Sequence, residues 1–251
     1  MKHSYLIFAD EYKHNSGGNK VLHKLAELLI EKGFSVRIGK NLIANENDIV
    51  VYPERVSGNP CKAKHIVRWM LHKKNYFDKT PRVYNKHETR FWISRTLSKQ
   101  GKILCVNTIE LDLFKDEGLE RNKVLLYEGK GKATCGFKSA LKDFIEITKD
   151  YPDNREDLAM LFKTGKILYC FDSLTSITAE ARLRGCPVVQ FLNGDFKKED
   201  YEMTTGIGWD ISMEEKVKAE SFVKFFPNSF VKFLLDCAKS LDNFIKITQS
   251  L

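Results

Sequence analysis

Asp172, Thr175, Ser176 and Glu180 have the types and the spacing to bind a phosphorylated sugar. They fall within residues 167–191, ILYCFDSLTSITAEARLRGCPVVQF, where a loop of hydroxyls, an amphipathic segment and a Gly-Cys-Pro stop separate two apolar runs. A buried strand, a crossover helix and a parallel strand are written this way. The hydroxyls of Ser173, Thr175 and Ser176 fall where the helix is expected to begin. Unsatisfied N–H groups and the positive end of the helix dipole make that point a seat for a phosphate. Asp172 lies at the end of the strand and Glu180 about a turn into the helix. A carboxylate is thereby set beside the phosphate seat, where it suits a sugar hydroxyl. The pattern predicts a nucleotide-sugar site.

Two further loops have compatible chemistry. In EGKGKATCG, Lys130 and Lys132 alternate with Gly129 and Gly131. The glycines let the backbone bend, so two ammonium groups can point at one anion. Hydrogen bonds to charged groups contribute about 1.5–3 kcal/mol each, enough for two lysines to position a diphosphate. In DEYKHNSGGNK, Gly17 and Gly18 allow close approach of backbone to a phosphate or sugar. His14 in the same loop is a candidate catalytic residue, as is Asp172. His14, Glu54 and His87 are the candidates for a general base. The six histidines form no HExxH, and neither GxSxG nor a DxD-type acidic pair occurs. Lysines and a helix dipole can neutralise a diphosphate without a metal, so no metal site and no cofactor beyond the donor substrate are expected.

The elements that must position these loops repeat one grammar. Residues 5–9 read as a strand, 19–32 as a helix with Val21, Leu22, Leu25, Ala26, Leu28 and Leu29 on one face, and 34–38 as a second strand, Gly33 ending the helix. A strand is expected at 49–52, a helix at 62–73 with Ile66, Val67, Met70 and Leu71 inward, and short strands at 82–84 and 102–106. The grammar restarts near residue 122 with a strand at 124–127, a helix at 137–149 and a capped helix at 154–163. The βαβ unit follows, and a final helix at 229–248 carries Val231, Leu234, Leu235, Ala238, Leu241 and Ile245. This predicts two Rossmann-like α/β domains, 1–122 and 123–251, facing across a cleft that lies at the carboxyl edges of both sheets.

Bulk properties agree with a globular protein. The chain has 251 residues, 43% hydrophobic and 29% charged, with a net charge of +8. A chain of this size buries about 70–75% of its unfolded surface. The excess charge favours anionic partners and is compatible with peripheral contact with a membrane. No run of apolar residues is long enough to span one, and the N-terminal apolar stretch is too short for a signal peptide, so a cytoplasmic location is expected. Cysteines 61, 105, 135, 170, 186 and 237 have no CxxC or metal-like spacing and read as reduced, buried small hydrophobes.

The motifs resemble those of GT-B fold glycosyltransferases, particularly the retaining family that builds bacterial surface polysaccharides. FDSLTSITAEARLRGCPVV is similar to the family's acidic-x7-Glu motif and its EA-x3-G-x-PVV continuation. Asp172 matches the first acidic position. Glu180 matches the second, which the resemblance implies contacts the nucleotide ribose. EGKGK resembles a donor-diphosphate loop, SGGNKVLHKLAELLIEKGFSVRI the family's glycine loop and first helix, and YPERVSGNP a Pro-Glu pair followed by Gly-Asn-Pro. The resemblance implies transfer of a sugar from a nucleotide diphosphate donor to a hydroxyl of a glycan or lipid-linked acceptor, metal-independent, with the acceptor on the first domain and the donor on the second. A nucleotide-sugar epimerase is the alternative enzyme. A nucleic-acid-binding protein would need clustered cations among aromatics, and KKNYFDK at residues 73–79 is the only such stretch.

Overall fold

The computed structural model describes residues 2–73, 81–113, 116–141, 143–192, 194 and 196–251. The residues form two compact units, 1–108 with 234–251 and 109–233. Both are built on parallel sheets.

In unit 1 the elements are β1 (Ser4–Ile7), α1 (Gly17–Glu31), β2 (Val36–Ile38), β3 (Asp48–Pro53), β4 (His65–Met70), β5 (Thr89–Trp92) and β6 (Lys102–Ile103). The sheet order is β2-β1-β3-β4-β5-β6, and every pairing is parallel. Tyr5 lies opposite Val36 on one side and Ile49 on the other. The apolar face of α1, with Val21, Leu22, Leu25 and Leu29, packs on Ile7, Val51, Val67 and Trp69. Leu6, Val50, Tyr52 and Ile66 form a second cluster with Cys61 and Ala63.

Unit 2 contains β7 (Lys123–Tyr127), α2 (Cys135–Ala140), β8 (Phe144–Ile147), α3 (Arg155–Thr164), β9 (Gly165–Cys170), α4 (Ile177–Leu183), β10 (Val188–Gln190), β11 (Ile207–Gly208) and α5 (Met213–Phe222). Its order is β11-β10-β9-β7-β8, again parallel throughout. Leu126, Ile167, Tyr169 and Val189 make its core cluster. The last helix, α6 (Phe226–Thr248), begins in unit 2 and from Leu234 onward belongs to unit 1. There Leu241 and Phe244 join the core under β1, and the Tyr5 hydroxyl meets Thr248 Oγ1 at 2.7 Å.

Several expectations are corrected. Residues 62–73 are not helical: His65–Met70 is a central strand, buried along most of its length. Ile66, Val67, Met70 and Leu71 fit a helical face, but Ile66, Val67, Trp69 and Met70 between two partner strands fit a buried parallel strand equally well, with Arg68 neutralised by Glu88, and pairing decided it. The helix expected at 137–149 stops at Ala140, and Phe144–Ile147 pairs with β7 as an edge strand. Residues 82–84 form no strand. The units divide at 108/109 rather than near 122, and the chain's end returns to unit 1 because the apolar face of α6 is covered there. Of the KKNYFDK stretch, all but Lys73 lies outside the described residues.

Among the described residues no helix is long and apolar enough to cross a membrane, and no group of three His, Cys, Asp or Glu could hold a metal ion.

Candidate functional site

In each unit, chain direction reverses once across the sheet. From β7 the chain moves outward to β8, and from β9 it moves the other way to β10. The corresponding reversal in unit 1 lies between β1 and β3. Ligands of open parallel sheets bind outside the carboxyl ends of the strands at such points.

In unit 2 this topology brings the glycine-lysine loop after β7 against the hydroxyl loop after β9. The contact is close. A Cβ on Gly131 would overlap the carbonyl oxygen of Phe171, and one on Gly129, which sits at φ +56, would lie 2.5 Å from Asp172 Oδ2. Both glycines are therefore required by packing, and Gly129 by its left-handed backbone as well.

Asp172 is buried and holds the two loops together. Its Oδ2 accepts from Lys130 Nζ at 2.9 Å and from the Lys130 backbone at 3.3 Å, while Oδ1 accepts from the Leu174 N–H at 3.1 Å. Lys130 Nζ also donates to the Leu174 carbonyl at 2.9 Å. An ammonium has three donors, so one remains for a ligand, on a side chain 31% exposed. Lys132 is exposed beyond it. Thr175 Oγ1 accepts from the Ile177 N–H at 3.3 Å, and Thr175 and Ser176 are half-buried at the start of α4. Behind them, burial and the nearby Asp172 push the Tyr127 hydroxyl up to about 12, against the hydrogen bond with Thr175. Phe171 and Phe191 stack at 4.2 Å, with Phe137 edge-on to both.

Glu180 is fully buried. Its two oxygens accept from Arg155 at 2.9 and 3.1 Å, a bidentate pair joining α3 to α4. The expected open carboxylate is thus occupied by a guanidinium, itself 18% exposed. Arg155 and Tyr127 were not legible as site residues. Arg155 reads locally as the first residue after the helix cap Asn154, and nothing in the sequence links it to Glu180.

In unit 1, His14 is exposed in the loop after β1, and Gly17 and Gly18 open α1. Lys40 pairs with Asp10 at the same edge. Glu54 follows β3 and is buried at 4% exposure, with Oε2 accepting from the Leu71 N–H at 3.0 Å. A Cβ on Gly18 would lie 3.7 Å from Leu71 Cδ1, so the start of α1 adjoins the residue that holds Glu54. The third candidate base, His87, is exposed. Nearby, the wholly buried Arg68–Glu88 pair at 2.8 Å lies between the rings of Tyr52 and Tyr84 and donates to the carbonyls of Val56 and Gly58, fixing the loop after β3.

No family model matches the chain, and no curated protein matches it. Among solved structures it is similar to an uncharacterized protein from Klebsiella pneumoniae subsp. pneumoniae, 13% identical, covering 79% of this chain and 86% of that one with a TM-score of 0.45. It is also similar to a mutant XylFII–LytSN complex, 10% identical, covering 92% and 94% with a TM-score of 0.24. The α/β architecture, two parallel sheets each with a single reversal of chain direction, is that of two Rossmann-like units.

Proposed function

We propose that the protein is a metal-independent glycosyltransferase of GT-B type, moving a sugar from a nucleotide diphosphate donor to a hydroxyl of a glycan or lipid-linked acceptor. The observation that carries this reading is the interlock of the Lys130 loop with the Thr175–Ser176 loop at the β7/β9 reversal. It gathers cations and hydroxyls where open parallel sheets hold their ligands. The spare donor of Lys130, the exposed Lys132 and the two hydroxyls hold the diphosphate. Asp172 acts as a positioning residue that aims Lys130. Glu180, wholly buried and held bidentate by Arg155, ties α3 to α4 and is closed to a ribose hydroxyl. Negative charge grows on the departing diphosphate as the glycosidic bond breaks, and fixed positive groups there lower the barrier. Unit 1 holds the acceptor, with the Gly17–Gly18 backbone and His14 at its edge.

The test is titration calorimetry with UDP, GDP, ADP, dTDP and CDP. One of them binds the wild-type chain, and Lys132→Ala weakens that binding about tenfold or more, the effect of one charged hydrogen bond. No binding of any of the five at millimolar concentration would defeat the proposal.

A further inference from the structure

The chain has 17 phenylalanines, and among the described residues only Phe222 and Phe225 are exposed, at 50% and 48%. Both belong to unit 2 and lie where α5 passes through a 3-10 turn, Val223–Phe225, into α6. The inward side of this segment is already committed. Ala219, Val223, Phe226 and Phe230 recur at helical spacing and are buried. Val223 lies against Gly206, the centroid of the Phe226 ring is 3.9 Å from the Arg182 guanidinium, and Ser229 Oγ meets Thr205 Oγ1 at 3.0 Å. The Phe222–Phe225 pair, with ring centroids 6.3 Å apart, is left outside this packing.

The charge beside the pair has one sign. Residues 221–233 contain two lysines and no acid. Lys224 Nζ lies 5.1 Å from the Phe225 ring centroid. Lys232 is exposed on the second turn of α6, next to Val231 at 56% exposure. Neither ammonium has an ion pair among the described residues. Exposed rings alone would suit a second copy of the chain as well as lipid, and the lysines separate the two. A symmetric contact between copies sets the same patch against itself, so ammonium would face ammonium. An anionic headgroup layer neutralises both lysines while the rings enter the acyl boundary, the lysine stems lying along apolar surface with their heads among the phosphates.

We propose that the α5–α6 bend of unit 2 is a docking surface for an anionic bilayer, with Phe222, Phe225 and Val231 entering the headgroup–acyl boundary and Lys224 and Lys232 resting among the lipid phosphates. The contact needs no nucleotide and no catalysis, so it stands apart from the glycosyl-transfer reading. Docking of this kind holds the chain at the surface where a lipid-linked acceptor would lie.

The experiment is co-sedimentation of the full chain with vesicles of two parts phosphatidylcholine to one part phosphatidylglycerol, and with vesicles of phosphatidylcholine alone. The wild-type chain pellets with the anionic vesicles, pellets weakly with the neutral ones, and is released by high salt. Phe222→Ser combined with Phe225→Ser lowers the partition coefficient about 30-fold or more, as loss of two half-exposed rings from an apolar layer does. Lys224→Ala combined with Lys232→Ala lowers it about tenfold at low salt and leaves the weak binding to neutral vesicles unchanged. The assignment is overturned if the wild-type chain stays in the supernatant with anionic vesicles, if it pellets equally with both vesicles, or if the serine pair partitions within about threefold of wild type. It is also overturned if sedimentation velocity shows a dimer that the serine pair dissociates while no vesicle binds, which makes the patch a contact between copies. Should the serine pair fail to fold, Lys224→Glu with Lys232→Glu decides: these surface changes must abolish binding to the anionic vesicles, and retained binding defeats the proposal.

Discussion

The two units reverse chain direction in the same way, yet their reversal points are furnished with opposite electrostatics. In unit 2 the buried acids are each matched by a cation, Asp172 by Lys130 and Glu180 by Arg155, and unspent positive charge faces outward on a glycine loop. In unit 1 the reversal point keeps a buried carboxyl, Glu54, that has no ion pair among the described residues and accepts from the Leu71 N–H, while Lys40 pairs with Asp10 at the surface. A shared topology supplies the place, and the side chains on the loops decide the electrostatics found there.

The strongest way to break this comparison is to remove the cation from each buried pair. Arg68→Met leaves Glu88 buried and uncompensated, and is expected to cost about 3–5 kcal/mol in urea unfolding. Arg155→Met should cost less, because its guanidinium is partly exposed and water can reach Glu180 through the gap. Equal losses would mean that the two pairs are buried alike.

The glycines come next. Gly131→Ala drives a methyl into the Phe171 carbonyl and should cost about 3 kcal/mol, with loss of diphosphate binding. Gly17→Ala meets nothing within 4 Å inside a helix, and should be neutral or stabilising by up to about 1 kcal/mol. Thermal denaturation of the two variants separates a glycine needed for close packing from one that is not.

A smaller contrast lies in the lysines. Lys130→Ala strands Asp172 with backbone partners alone and should cost about 2 kcal/mol. Lys40→Ala, in an exposed pair, should change stability by less than about 1 kcal/mol and lose even that in high salt.

The pH dependence of stability is the finest probe of the comparison. Glu54 binds its proton more tightly folded than unfolded, so its contribution is complete below the ordinary value of 4.5 and is lost as pH rises through the raised one. A glutamine suffers no such loss. The stability of Glu54→Gln relative to wild type should therefore improve as pH climbs from 4.5, measured by urea unfolding at several pH values. A flat difference would place the carboxyl in water.

Local pattern carried much of the fold. The α1 face, the GKGK loop after a strand and the 167–191 strand-helix-strand unit are set by periods and breakers that act within a dozen residues. The same local signals misassigned residues 62–73, because a short apolar run satisfies both a helix face and a buried strand until its neighbours are known. Three outcomes depended on residues far apart in the chain. They are the capture of Glu180 by Arg155 across 25 positions, the return of residues 234–248 to unit 1, and the burial of Glu54 against the Leu71 N–H. The sequence alone determined which residue types stand at the ends of strands. Which acids are paired with a cation and which are held by backbone N–H groups was decided by tertiary contacts, because desolvation and pairing are properties of the space around a side chain.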